Sequence, residues 1–339
     1  MPERSEARDF SGVSGIGSIS AEAIPADVLQ ATQPVLLRGL AARWPLVQAA
    51  QRSDADFCDY LRRFGPETRL GLWRGKPEIR GRFFYNDEFT GFNFQREVQT
   101  FGALLDELLA GTPDALYLGS TEVDSAFPGL RRHNDLAGLA HVEPHVSLWL
   151  GSRMQVAAHF DLPDNIACVV AGRRRFTLFP PDQVANLYIG PLDLTPAGQP
   201  ISLVDLANPD LERFPRFAQA LAQSLTFELL PGDAIFIPSQ WWHAVQALDP
   251  VNALVNFWWR QSPPYMDTPL NTLMMALLSL RDLPRAQRDA WRVLFDHYVF
   301  DADEQTAAHI PAAARGVLAP LDDNAARQLR AALLHRLNR

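Results

Sequence analysis

Residues 154–179 read MQVAAHFDLPDNIACVVAGRRRFTLF. Short apolar and β-branched runs alternate here with the turn formers Pro163-Asp164 and Gly172, the pattern of short strands joined by tight connections. In a strand, residues i and i+2 share a face, so His159 and Asp161 project together while Phe160 points away into packing. Side by side they can chelate one ion. A carboxylate buried without a partner costs on the order of several kcal/mol, and a divalent cation is one of the few partners that offsets this. Cys168, inside IACVVAG, reads as a small buried thiol.

The same rhythm extends in both directions. ALYLGS, HVSLWLG, AIFIPSQWWHAVQAL and NALVNFWWR join the opening runs between Ala115 and Arg260, and so many short strands in succession suggest a sandwich or a barrel-like jelly roll. Before Ala115 short strands such as PVLLRGL mix with helices. The clearest helix follows Thr100, with Phe101, Leu104, Leu105 and Leu108 on one stripe and Gly111 closing it. After Pro264 the pattern turns helical, with stripes Leu270/Leu273/Met274/Leu277, Trp291/Leu294/Phe295/Tyr298 and Leu329/Leu333/Leu337. Those stripes either pack back onto the β core or join a second copy of the chain as a homodimer. The expected organisation is therefore a tail over 1–20, a β-rich domain over 21–263 with an N-terminal α/β extension, and a helical region over 264–339.

Composition narrows the function. The 339 residues carry 31 Lys and Arg against 39 Asp and Glu, a net charge of −8, which disfavours a nucleic-acid partner because that needs a basic face. No apolar run is long enough to span a bilayer, so a soluble protein with no membrane partner is expected. The first twenty residues have no apolar secretory core, and two cysteines build no disulfide framework, so a cytoplasmic setting is expected.

By itself H-x-D is a weak signal, and the chain holds decoys in His133/Asp135 and His141/Glu143. The first lies in a polar, Gly-bounded segment and the second abuts Pro144; solvated surface pairs are the expected reading of both. His159 and Asp161 gain from a third candidate. Pro231-Gly232-Asp233 turns into an alternating strand that delivers His243, and the long separation from His159 suits a double-stranded β-helix, whose ligands come from distant strands of one sheet. Two histidines and a carboxylate form the facial triad of non-haem Fe(II) oxygenases, which leaves three positions open. The alternative for His243 is a core histidine satisfied by a backbone carbonyl.

The blocks HFDLPDNIACVVAGRRRFTLFPPDQ, NPDLERFP, PGDAIFIPSQWWHAV and LVNFWW, with PVLLRGLAARWP near the start, resemble the JmjC/cupin-like 2-oxoglutarate oxygenases, most of all the asparaginyl hydroxylase that acts on hypoxia-inducible factor. The resemblance runs in order from about Pro34 to Arg260. It implies a double-stranded β-helix core, Fe(II) held by His159, Asp161 and His243, and 2-oxoglutarate as cosubstrate. The implied reaction converts 2-oxoglutarate to succinate and carbon dioxide while a C–H bond of a protein, peptide or small molecule is hydroxylated.

It also implies roles for single residues. Arg174 falls where the family anchors the far carboxylate of 2-oxoglutarate, a choice over Arg173 and Arg175 that strand parity alone does not make. A planar guanidinium can grip that carboxylate through two parallel bonds. Tyr117, Asn165 and Asn256 fall at cosubstrate-pocket positions, with ordinary buried hydrogen bonding as the alternative. Two departures stand out: arginine replaces the close relative's lysine at 174, and Val156 replaces a threonine that offers its hydroxyl to the cosubstrate. Residues 71–95, rich in aromatics, glycine and charge, are expected as a lid or groove wall over the iron, whereas Trp241, Trp242, Trp258 and Trp259 are read as core rather than substrate groove. A non-catalytic metal-binding cupin or binding module is the alternative to an enzyme.

Overall fold

The computed structural model describes residues 24–338, so the tail expected over 1–20 lies outside the described residues. Contacts divide the chain into one unit ending at Arg260 and another beginning at Gln261. In the first unit the strands are β1 (Val35–Leu37), β2 (Arg69–Gly75), β3 (Phe94–Thr100), β4 (Ala115–Glu122), β5 (His145–Gly151) and β6 (Met154–His159). They continue as β7 (Asp164–Ala171), β8 (Arg174–Phe179), β9 (Leu225–Leu229), β10 (Ala234–Ile237), β11 (Trp242–Ala247) and β12 (Asn252–Trp259).

From β5 onward the chain passes back and forth between two antiparallel sheets. The larger has the order β1-β10-β7-β12-β5-β4-β2-β3 and the smaller β6-β11-β8-β9. That alternation is the double-stranded β-helix, or jelly roll. The N-terminal strands only widen the larger sheet, β1 on one edge and β4, β2 and β3 on the other.

Burial follows from this layering. Every residue of β7 is buried, because Ile166, Cys168 and Val170 face a helix-covered core while Ala167 and Val169 face the inter-sheet core. A strand covered on both faces reads as a continuous apolar run, as IACVVAG does. The helix-covered core includes Leu46, Phe57, Phe101 and Leu105. The helix Phe101–Ala110 begins with Thr100 Oγ accepting from the Ala103 N–H at 3.3 Å and ends on Gly111 at φ = 75°, as its sequence predicts. On β11 the alternation sends Trp242 and Ala244 outward to pack with Phe179 and Phe217, so His243 and Val245 face the other sheet.

The second unit, 261–339, holds helices over Pro269–Ser279, Arg285–Phe295 and Asp323–Leu337, and the expected stripe from Trp291 runs past the second of them to Tyr298 in the π-helical turn Asp296–Phe300. Within it Trp291, Leu294 and Tyr298 are exposed, as are Leu273, Met274 and Leu333. No helix among the described residues is long and apolar enough to cross a membrane.

Candidate metal centre

His159 is the last residue of β6, and His243 lies directly opposite it on β11. Their rings are 4.4 Å apart at 52°. Asp161 follows two residues after His159, and its Oδ2 lies 3.5 Å from His243 Nε2. One ligand atom from each of the three residues falls within 4.8 Å of the other two, the one such group of His, Cys, Asp or Glu among the described residues.

A β-bulge shapes this end of the ladder. His243 pairs with His159 but Val245 pairs with Val156, so β6 carries one residue more than β11 between those pairs. Simple alternation would send Val156 and His159 to opposite faces. The bulge turns both into the same cleft.

The donor set fits a transition-metal ion. His159 Nδ1 lies 3.0 Å from the Ala157 carbonyl and His243 Nδ1 lies 3.0 Å from the Trp241 carbonyl. A carbonyl only accepts, so each Nδ1 donates and each Nε2 is left for a metal, the orientation expected of histidine ligands. Burial, reinforced by the charge of His243, pushes His159 down to about 4, so its imidazole is neutral at pH 7. Burial works to raise Asp161 and to lower His243. Their mutual hydrogen bond and charge outweigh it, holding the carboxyl below its ordinary range and the imidazole above.

The cleft beyond the triad lies between the sheets, with Asn165, Leu254 and Asn256 on the larger and Val156, Arg174 and Phe176 on the smaller. Arg174 opens β8 and is only 2% exposed, yet its Nε and Nη2 have no hydrogen-bond partner. Burial pulls its guanidinium down to about 10, which leaves it cationic at neutral pH. Its neighbours behave differently: Arg173 pairs with Asp249 at 2.8 Å and Arg175 with Glu228 at 3.1 Å, both at the surface. An orphaned buried cation is costly, and a dicarboxylate reaching in from the metal would satisfy it.

Tyr117 is buried beside this cation, and burial raises its phenol above the ordinary range, so it remains a donor. Asn256 accepts from Trp149 Nε1 at 2.7 Å and donates to Asn165 Oδ1 at 3.4 Å, which links the two asparagines in one chain. Trp149 was missed from the sequence, although strand parity on HVSLWLG puts it on the inner face with Ser147. Trp241, Trp242 and Trp259 are core, while Trp258 lines the cleft with its Nε1 buried and unbonded.

Of the two roles expected for residues 71–95, lid or groove wall, the structure shows packing behind the cleft and no cover over it. None of them lines the cleft. Residues 69–75 and 94–100 are sheet strands, and Trp73 and Phe83 pack against Tyr117 with ring centroids at 5.3 and 5.7 Å, a wall behind the cleft rather than a cover over it. Among the decoys, His133, His141 and Glu143 are exposed and Asp135 pairs with Arg131 at 3.1 Å.

A model of the cupin-like domain matches residues 21–265. The chain belongs to this JmjC-type cupin-like family. It is 36% identical over 129 residues to Lysine-specific demethylase JMJ31 of Arabidopsis thaliana, covering 36% of this chain and 23% of that protein. It is 31% identical over 150 residues to human HSPB1-associated protein 1, covering 43% of this chain and 30% of the relative. To Lysine-specific demethylase 8 of Danio rerio it is 28% identical over 249 residues, covering 71% of this chain and 56% of the relative. The chain thus spans between 23% and 56% of the lengths of these relatives.

Proposed function

We propose that this cupin-like protein is an Fe(II)- and 2-oxoglutarate-dependent oxygenase that hydroxylates a C–H bond of a protein or peptide side chain or of a small molecule. The observation that carries the reading is the unpartnered guanidinium of Arg174 in the same cleft as the His159–Asp161–His243 group. A metal site alone suits many cupins; a buried cation with open donors beside it suits a cosubstrate with a second carboxylate.

In this reading His159, Asp161 and His243 hold Fe(II), which with dioxygen and 2-oxoglutarate supplies the oxidising power for hydroxylation. The protein's own groups do the rest. Arg174 grips the distal carboxylate and Tyr117 can add a phenolic hydrogen bond. Asn165 and Asn256 fix the polar wall, and the apolar surface of Phe176, Val245 and Leu254 keeps water from the reacting centre.

The test is succinate formation from 2-oxoglutarate with Fe(II) and ascorbate in the absence of any further substrate. Wild-type protein should turn over slowly and Asp161→Ala should not. Equal rates in both would leave the alternative, a metal-binding cupin without turnover.

A further inference from the structure

The turn that delivers His243 is stitched to the loop that delivers Asp161. Ser239 Oγ donates to the Leu162 carbonyl at 2.6 Å, the Ser239 N–H to Asp164 Oδ1 at 2.9 Å, and the Gln240 N–H to the Asp161 carbonyl at 2.9 Å. The turn closes on itself through the Trp241 N–H, which donates to the Pro238 carbonyl at 3.2 Å, and the Trp241 carbonyl in turn orients His243 Nδ1. Gln240 holds φ = 65°, a left-handed conformation that favours glycine, although its side chain is exposed. No side-chain burial accounts for that conformation. It does aim the Gln240 N–H at the metal-ligand loop.

The three candidate ligands are not held alike. His159 and His243 are ladder partners, so the sheet itself sets their separation. Asp161 lies beyond the end of β6, outside the ladder, where nothing in the sheet fixes its distance from either ring. The Ser239–Gln240 turn supplies what the sheet does not.

We propose that Ser239 is a positioning residue for the metal: with the Gln240 N–H it clasps the 161–164 loop to the turn before β11 and sets the Asp161–His243 geometry before an ion arrives. The proposal rests on the metal-centre reading given under Proposed function. It extends that reading to residues that touch neither the ion nor the cosubstrate, in the way hydrogen bonds behind the ligands tune metal affinity elsewhere.

The experiment is a calorimetric titration of Mn(II) into the full-length protein stripped with a chelator, with the melting temperature of each metal-free variant and the Mn(II) electron paramagnetic resonance spectrum read alongside. Ser239→Ala should weaken Mn(II) about tenfold, as loss of a group behind the ligands commonly does. It should also alter the Mn(II) spectrum while leaving metal-free melting nearly unchanged, and Ser239→Thr, which keeps the hydroxyl, should restore affinity. If Ser239→Ala does not fold, Asp164→Ala removes the acceptor of a second strand of the clasp and should weaken Mn(II) likewise. Wild-type affinity and spectrum in a folded Ser239→Ala or Asp164→Ala protein overturn the proposal. So does a loss of affinity that merely tracks a loss of melting temperature and is not rescued by threonine. Wild-type protein that takes up no Mn(II), or His243→Ala that binds as well as wild type, would instead sink the metal-centre reading itself.

Discussion

His159 and His243 are direct partners on adjacent antiparallel strands, and their rings stand 4.4 Å apart. Burial, and after it the charge of His243, holds His159 low, while the hydrogen bond and charge of Asp161 outweigh burial and hold His243 high. Metal capture by His243 should therefore displace its proton. Mn(II) affinity should fall as pH drops, and the fall should begin on the alkaline side of an ordinary histidine's range. Calorimetry in buffers of different ionisation heat counts the protons; uptake of metal near pH 6.5 with none released would contradict the assignment.

Arg174→Met should remove 2-oxoglutarate binding and, in the same protein, raise the melting temperature of the ligand-free form. The two effects share a cause, because the guanidinium is buried with Nε and Nη2 unbonded. Relieving such a group is worth about 1–3 kcal/mol, roughly 2–4 °C per kcal/mol for a domain of this size. Thermal melts with and without 2-oxoglutarate measure both. A variant that is less stable and still binds would show that the cation has a structural partner instead.

Val156→Thr places a hydroxyl in the cleft where Val156 now lines it. One added hydrogen bond to the cosubstrate is worth about 0.5–1.5 kcal/mol, up to roughly tenfold in affinity. The Michaelis constant for 2-oxoglutarate should drop, and an unchanged or higher value would mean that position 156 does not meet it.

Cys58 and Cys168 are free and buried. Burial, helped by the charge of Asp54, pushes Cys58 up to about 12, and burial raises Cys168 further. A raised thiol pKa lowers the reactive thiolate fraction, to about one in ten thousand for Cys58 at pH 8. Native protein should resist iodoacetamide at pH 8 and consume two equivalents once unfolded. Rapid native alkylation would show that one of the thiols opens to solvent.

The helices of 261–339 expose large apolar side chains, with Leu278 at 77%, Phe300 at 73% and Val293 at 66%. Faces of this kind in soluble proteins commonly mark an interface. We propose a homodimer through these helices. Light scattering should give twice the chain mass, with Leu278→Glu and Val293→Glu shifting it toward the monomer; a wild-type monomer at high concentration would dispose of the idea.

Much of the candidate site was legible in the sequence. Strand parity pointed to His159 and Asp161 as a pair, although β6 ends at His159 and the 161–164 loop is held by the Ser239–Gln240 turn rather than by the sheet. The apolar run at 166–171 marked a strand with Cys168 buried inside it, while its cover on both faces emerges only in the structure. His243 needed more, since no local pattern ties it to residue 159; only the register of β6 against β11 does that. Arg174 could not be separated from its two neighbours because a run of three arginines at a hairpin carries no directional signal, and burial decides it. Residues 71–95 stayed open between lid and wall because aromatic and glycine-rich composition suits a mobile cover and a packed wall equally well. The clasp at Ser239 was invisible, since a serine and a glutamine in a turn look like any loop.

The extra residue in β6 makes the strand one residue longer than its ladder needs. Removing either Ala157 or Ala158 would leave one residue between the two pairs on each strand, so simple alternation would still face Val156 and His159 into the cavity. Substitution scans would never expose this redundancy. A single-codon deletion at that spot should spare metal uptake, and loss of uptake would show that the bulge itself aims His159.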